Sequence, residues 1–277
     1  MTAWKPPIPE DWQPIVARAL AEDLGTGDLT AICLPTERAE WFIEAQGEGV
    51  VCGVEIARSL LSAAGDCVAL VKDGDSVGPG TVVLKGIGSP ALVVARERTA
   101  LNFLMHLSGI ASTTRTYVRA LQGTGARLLD TRKTVPGLRS LAKYAVRCGG
   151  GMNHRMGLYD AAMLKDNHIR AVGDVAAAVA TVRANVSPMT KIEVECATLE
   201  EAIAAHGAGA DVLLLDNMTP ERLRAVVERL GDRIPLEASG GVTLDNLAEI
   251  GATGVHYVST SATTMASRPL ALHLEFA

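Results

Sequence analysis

A chain of 277 residues with 48% hydrophobic content is long enough for one α/β barrel or two modest domains on an aliphatic core. A net charge of −5 and only 4% aromatic residues argue against a broad basic or base-stacking surface, and so against nucleic acid as a partner. No apolar run approaches the ~20 residues of a membrane span, and Met1-Thr2-Ala3-Trp4-Lys5-Pro6-Pro7 lacks the apolar core of a signal peptide, so a cytoplasmic protein without membrane contact is expected.

Pro9-Glu10-Asp11 opens a helix whose apolar positions Trp12, Ile15, Val16, Ala19 and Leu20 share one face, and Gly25-Thr26-Gly27 stops it. From Trp41 to Leu84, short apolar stretches broken by Gly47, Gly49, Gly53, Gly74, Gly78 and Gly80 predict strands with tight turns around one helix near 54–64. A long helix follows from about Ala91 to Leu107, and Ser108-Gly109 is read as its end. That point divides a first domain, 1–108, from a second, 109–265, with the tail 266–277 returning to the first. The five cysteines (Cys33, Cys52, Cys67, Cys148, Cys196) are scattered and odd in number, with no C-x-x-C spacing; they read as reduced and mostly buried, neither a disulfide framework nor a zinc site.

Beyond Gly109 the rhythm is strand, then helix, repeatedly. Strands are expected at 128–130, 161–165, 191–196, 212–216, 234–239 and 255–259, with helices such as 199–206 and 220–230 between them. This alternation implies a parallel sheet with right-handed crossovers, and six or seven such units suggest a barrel, closed or incomplete. Nearly every strand ends in a polar side chain: Arg132 and Lys133, Lys165, Glu195, Asp216, Ser239, Ser259. In α/β barrels the C-terminal strand ends form one face, and active sites sit there.

The stretch from Arg127 to Arg170 holds six Arg and three Lys against three Asp, a local net of +6 that leaves −11 for the rest of the chain. Positive charge concentrated in an acidic protein points to a pocket for a small polyanion. Arginine suits bidentate recognition of carboxylates, and lysine acts as a point charge. Within the stretch, His154 and Arg155 follow Gly149-Gly150-Gly151, where backbone can approach a ligand closely. Ser239-Gly240-Gly241-Val242-Thr243 joins a strand to a helix and has the makings of a phosphate loop, although an ordinary barrel turn reads the same way. Glu195 and Asp216 end neighbouring strands and suggest Mg²⁺ held through substrate oxygens, or else neutralise the nearby cations; Glu193 shares a face with Glu195. Lys165 on a barrel strand could also serve as a Schiff-base lysine.

Long motifs, in order, resemble one enzyme family. They are Glu22-Asp23-Leu24-Gly25-Thr26-Gly27-Asp28, Arg96-Glu97-Arg98-Thr99-Ala100-Leu101-Asn102, Asp130-Thr131-Arg132-Lys133-Thr134-Val135-Pro136-Gly137-Leu138-Arg139, Asn153-His154-Arg155, Lys165-Asp166-Asn167-His168, Glu193-Val194-Glu195, Leu215-Asp216-Asn217 and Glu237-Ala238-Ser239-Gly240-Gly241. The set is similar to quinolinate phosphoribosyltransferase, the carboxylating nicotinate-nucleotide pyrophosphorylase. The resemblance implies an N-terminal α/β sandwich domain followed by an open, incomplete α/β (TIM-like) barrel. It implies that quinolinate and phosphoribosyl pyrophosphate react, with Mg²⁺, to nicotinate mononucleotide, pyrophosphate and carbon dioxide, a step of NAD biosynthesis. It further implies a homodimer with shared active sites, leaving dimer against hexamer open. By the same resemblance, Arg132, His154, Arg155 and Lys165 hold the quinolinate carboxylates, and Arg98 reaches into the neighbour's pocket. Lys133, Glu195 and Asp216 serve phosphoribosyl pyrophosphate, the carboxylates through Mg²⁺. Ser239, Gly240 and Gly241 hold the 5′-phosphate, with Ser259 and Ser261 on the second phosphate loop. That loop, Ser259-Thr260-Ser261-Ala262-Thr263-Thr264, departs from the family pattern at Ser261, where glycine is usual and a β-carbon restricts backbone shape. A related enzyme of molybdate-transport gene clusters shares the fold, but would be expected to lose part of the set that Arg132, Arg155 and Lys165 complete. An aldolase using Lys165 and a non-catalytic phosphate-ligand binder are the other readings of these residues.

Overall fold

The computed structural model describes residues 6–277. In chain order its first elements are α1 (Trp12–Leu24), β1 (Ala39–Ala45), β2 (Gly49–Val50), α2 (Val54–Leu61), β3 (Gly65–Ala69), β4 (Ser76–Val77), β5 (Val82–Gly88) and α3 (Pro90–Ala120). They are followed by β6 (Arg127–Leu129), α4 (Arg139–Gly149), β7 (Ala162–Leu164), α5 (Asp166–Val172), α6 (Val175–Asn185), β8 (Ile192–Cys196), α7 (Leu199–Gly207) and β9 (Val212–Asp216). The last are α8 (Pro220–Leu230), β10 (Leu236–Ser239), α9 (Leu244–Gly251), β11 (Tyr257–Ser259), α10 (Ala262–Met265) and β12 (Leu272–Phe276).

Two compact units result. One comprises residues up to Arg115 with Thr134–Gly150 and Thr263–Ala277; the other comprises Thr116–Lys133 and Gly151–Ala262. These cuts differ from the spans 1–108 and 109–265 read off the sequence, because α3 runs unbroken through Gly109 and α4 joins the first unit.

The first unit carries a four-stranded sheet in the order β12-β1-β5-β3, with every neighbouring pair antiparallel. β1 alternates at period two: Trp41, Ile43 and Ala45 are buried, and the residues between them are not. Its core adds Ile56 and Leu61 from α2 and Leu104 and Leu107 from α3. β12 pairs with β1 from Trp41 opposite Phe276 to Ala45 opposite Leu272. Of the cysteines, Cys52 and Cys196 are buried, Cys67 and Cys148 half-buried and Cys33 exposed, so the expectation of mostly buried thiols fails.

α3 corrects the expected helix end, for it has 31 residues and passes Gly109 without a break. Glycine stands there for room. A Cβ at 109 would meet the backbone of Arg268 and lie 2.9 Å from Pro269 Cα. Just beyond, the N–H of Leu270 donates to Met105 O at 3.0 Å, fixing the C-terminal segment against the helix.

The second unit is a parallel six-stranded sheet in the order β6-β11-β10-β9-β8-β7. Around a barrel this is the sequence 7-8-9-10-11-6, with one seam between β6 and β7 where no strand pairing occurs among the described residues. Met152 bridges to Leu129 at the free edge of β6. Alternate residues, Ile192, Val194 and Cys196, Leu213 and Leu215, Leu236 and Ala238, belong to the apolar core shared with the helices. The intervening positions, among them Glu193, Glu195, Leu214, Asp216, Glu237 and Ser239, therefore lie on the other face. This two-part α/β architecture agrees with the expected fold class, the barrel being open.

The Gly109 contact generates a prediction whose sign runs against helix propensity. Gly109→Ala gains up to ~1 kcal/mol of intrinsic helix stability but drives a methyl into the Arg268 backbone, for a net loss of about 1–3 kcal/mol. Urea unfolding is expected to show a lower midpoint; an unchanged or higher midpoint would mean that the 268–269 segment yields freely.

Candidate active site

The site is built on the C-terminal ends of the parallel strands. β6 runs into Asp130, whose side chain is fully buried and accepts from Asn153 Nδ2 at 2.6 Å and from the His154 N–H at 2.8 Å. Asp130 N donates to Met152 O at 3.1 Å and Met152 N to Leu128 O at 2.9 Å, so the segment carrying His154 and Arg155 is clamped along β6. Lys165 immediately follows β7, Glu195 is the penultimate residue of β8, and Asp216, Ser239 and Ser259 close β9, β10 and β11. Ser239 lies opposite Asp216 in the sheet register, and Ser259 Oγ donates to Ser239 Oγ at 3.0 Å.

Eleven residues singled out from the sequence line one cavity of about 650 Å³: Arg132, Lys133, His154, Arg155, Lys165, Glu195, Asp216, Ser239, Gly240, Gly241 and Ser259. Thr131, Met163, Leu214, Asn217 and Glu237 complete the wall. Two expected residues are not in it. Arg98 belongs to α3 in the first unit, and Ser261 follows the strand end without lining the cavity.

Positive charge is crowded here. Burial, and then the neighbouring Arg132 charge, push the Arg155 guanidinium below its ordinary value, partly offset by Glu193 and Asp160. Arg155 Nη1 donates to Ala161 O at 3.0 Å, which spends one donor and leaves the rest of the fork for other acceptors. Lys165 Nζ lies 2.7 Å from Glu195 Oε2. The Lys165 amine is thereby engaged by a carboxylate across two neighbouring strand ends. Glu195 and Asp216, at adjacent strand ends, are a donor set of hard oxygens suited to Mg²⁺ shared with substrate oxygens.

The glycine loop is shaped for close approach. Gly240 and Gly241 take φ of 90° and 61°, and a Cβ at Gly240 would collide with the Asn217 amide, lying 2.5 Å from its Cγ. Asn217 itself has φ 52°, the one non-glycine residue with positive φ among those described. It is held by its N–H to Ser239 O at 2.8 Å and its Nδ2 to Asp216 Oδ2 at 2.7 Å. Ser261 is therefore not in the left-handed region, and the serine in place of the family's glycine imposes no such strain. Thr260 ties the two loops together, its Oγ1 donating to Val242 O at 3.3 Å and accepting from the Ala262 N–H at 3.1 Å.

Beneath the cations lie two acids, Glu193, which the sequence offered only as a support for Glu195, and Glu237, which it left without a role. Glu193 and Glu237 are buried, and His154 Nε2 is 3.0 Å from Glu193 Oε2 and 3.4 Å from Glu237 Oε2. Burial, and then the Glu193 carboxylate, push Glu237 up to about 8. The signal was available: Glu193 and Glu237 sit two residues before Glu195 and Ser239, hence on the same face of their strands. Asp130 announced itself only as a carboxylate ending an apolar strand.

A stability prediction follows from Glu237. Unfolded, it titrates near its ordinary 4.5; folded, it keeps its proton to about 8. Between those values the folded state binds more protons, so this group makes stability fall as pH rises, by at most about 1.4 kcal/mol per pH unit. Glu237→Gln removes that slope. Denaturant unfolding from about pH 5.5 to 7.5 should show the variant gaining on the parent as pH rises; a constant difference would refute the retained proton.

Comparison with known proteins gives this geometry a family. The chain matches the family models for the quinolinate phosphoribosyl transferase N-terminal domain over residues 28–108 and C-terminal domain over residues 110–275. It is 42% identical over 258 residues to a probable nicotinate-nucleotide pyrophosphorylase [carboxylating] of Bacillus subtilis, covering 92% of this chain and 89% of that protein. It is 40% identical over 271 residues to the nicotinate-nucleotide pyrophosphorylase [carboxylating] of Mycobacterium leprae, covering 94% and 95%. Among solved structures, NadC from Streptococcus pyogenes superposes with a TM-score of 0.93 at 36% identity over 99% of this chain and 100% of that one. With both domains matched and such identity along nearly its whole length, the chain belongs to the quinolinate phosphoribosyl transferase family.

Proposed function

We propose that the protein transfers the phosphoribosyl group of phosphoribosyl pyrophosphate to the ring nitrogen of quinolinate, with loss of carbon dioxide, yielding nicotinate mononucleotide for NAD biosynthesis. The observation that carries this reading is the single cavity in which Arg132, Lys133, Arg155 and Lys165 face Glu195 and Asp216 beside the Gly240-Gly241 loop. Both substrates are polyanions, and the cavity supplies cations for each.

Arg132, Arg155 and Lys165 bind the two quinolinate carboxylates and orient the ring nitrogen toward the ribose. The bare backbone of Gly240 and Gly241, with the Ser239 and Ser259 hydroxyls, receives the 5′-phosphate. Lys133 faces the pyrophosphate. The nitrogen lone pair forms the bond to ribose C1′ as the bond from C1′ to the pyrophosphate oxygen breaks, the leaving group taking the electron pair. Glu195 and Asp216 offset the positive charge that develops on the ribose. They are also the residues that would hold Mg²⁺, which when bound neutralises charge on the departing pyrophosphate. The ring nitrogen is now cationic. The bond from ring C2 to its carboxylate then cleaves, its electron pair stays on C2 next to that nitrogen, carbon dioxide leaves and C2 takes up a proton.

The family likeness also supports a homodimer with shared sites, in which Arg98 of one copy completes the cavity of the other. Among the described residues no helix is long and apolar enough to cross a membrane. The reading places the reaction in the cytoplasm, on small-molecule substrates.

Two measurements test it. Quinolinate labelled in the carboxyl at ring position 2 is expected to release labelled carbon dioxide with Mg²⁺ only when phosphoribosyl pyrophosphate is present, with nicotinate mononucleotide formed in equal amount. No release from folded protein would overturn the activity. For the shared site, randomly reassorted Arg98→Ala and Lys165→Ala subunits should recover about a quarter of parent activity, since half the dimers carry one intact site of two. Verified heterodimers without activity would sink the partner role of Arg98.

A further inference from the structure

His154 lines the proposed quinolinate cavity, and the role assigned to it rests on the proposed function. Its hydrogen bonds narrow what it can do there. The backbone N–H of Arg155 donates to His154 Nδ1 at 2.7 Å. A backbone N–H can only donate, so Nδ1 presents its lone pair and the ring proton sits on Nε2. Nε2 in turn faces Glu193 Oε2 at 3.0 Å and Glu237 Oε2 at 3.4 Å, on two neighbouring layers of the barrel wall. Nδ1 is therefore engaged by the loop, and Nε2 lies buried against the acid pair, within ion-pair distance of both carboxylates.

The charges around the ring pull both ways, the Glu193 and Glu237 carboxylates toward a cation and the guanidiniums against one, so the Nδ1 hydrogen bond is what decides. Arg155 already lies beside Arg132, whose charge works against it. A third cation on His154 would add to that repulsion, whereas a neutral ring does not. Burial and the Glu193 carboxylate push Glu237 toward its protonated form, with a His154 charge acting the other way, so the two buried carboxyls do not both ionise cheaply. The donor atoms of the three side chains lie within 4.8 Å of one another, a spacing that could also hold a divalent cation. Such a cation would need the Nε2 lone pair, where the tautomer set by Arg155 places a proton.

We propose that His154 is a positioning residue and not a cationic ligand of quinolinate: a neutral imidazole seated on Glu193 and Glu237, whose Nδ1 fixes the backbone of Arg155 and so aims that guanidinium into the cavity. Asp130 braces the same segment by accepting the His154 N–H at 2.8 Å. Specificity for the dianionic ring then passes through His154 to Arg155 and does not come from a charge on the histidine.

The test has a spectroscopic arm and a kinetic arm. Nitrogen-15 shifts of the histidine rings, with His154 assigned by its absence in His154→Asn, are recorded on the full chain near neutral pH, before and after quinolinate, and again with zinc ions. The expected result is the neutral ring with the proton on Nε2 throughout. An imidazolium signature on adding quinolinate overturns the proposal, and so does zinc binding at Nε2. In the kinetic arm, asparagine places an acceptor oxygen near the Nδ1 position, and lysine supplies a cation without that acceptor. His154→Asn should keep KM for quinolinate within roughly fivefold of the parent and His154→Lys should raise it more than roughly tenfold, with KM for phosphoribosyl pyrophosphate moved less than about twofold in both. Lysine outperforming asparagine overturns the proposal. The ring shifts need no turnover, and those recorded before any ligand is added need no quinolinate site, so a failure of the proposed reaction would leave this test intact and separately decided.

Discussion

A carboxylate with no exposed surface has to be matched by donors, and Asp130 finds them in one short segment, at the Asn153 amide and the His154 N–H. Much of the site hangs on that match. It locks residues 152–155 along β6 at the open edge of the sheet, where no neighbouring strand supplies a full ladder. His154 and Arg155 take their places from it, and Arg155 in turn is set against Arg132. Removing Asp130 would take away the acceptor shared by the Asn153 amide and the His154 N–H and loosen the segment that carries Arg155.

Charge is layered through the second unit. Arg132, Lys133, Arg155 and Lys165 stand at the strand ends, Glu195 and Asp216 stand with them, and Glu193 and Glu237 lie deeper on the same strand faces. Within the upper layer, Lys165 and Glu195 form a close pair of opposite charges. Guanidiniums that disfavour one another in a partly buried place have a reason to be there if an anionic ligand completes the balance. On the proposed function, quinolinate and the phosphates would be the anions that complete that balance.

The glycine loop shows the same economy in backbone terms. Gly240 must be glycine twice over, for its positive φ and for the Asn217 amide packed where a Cβ would be. Asn217 accepts a left-handed conformation itself, which its bonds to Ser239 and Asp216 stabilise. Ser261 needs no such freedom, so its departure from the family pattern is absorbed by an ordinary conformation. The Thr260 hydroxyl, bonded to Val242 O, couples that second loop to the first.

Strand and helix periodicity made β8, β9, α8 and the parallel order of the second unit legible from sequence, because each is a local pattern of apolar spacing. Polar strand ends made most of the cavity wall legible too, since a parallel barrel must bring those ends together. Gly109 misled for a physical reason: a glycine inside a helix and a glycine ending one look alike until the Arg268 backbone packed on it is seen. The strand positions of Glu193 and Glu237 put them on the site face, but the partners of these acids and of Asp130 were hidden, because a buried carboxylate is defined by what surrounds it and its partners lie 23 to 83 residues away. The sequence by itself determined which residues carry charge, which faces are apolar and in what order the strands follow. Tertiary structure alone decided which charges are paired, which carboxyl keeps a proton and which nitrogen of His154 accepts the Arg155 N–H, because desolvation and hydrogen-bond direction exist only once segments meet.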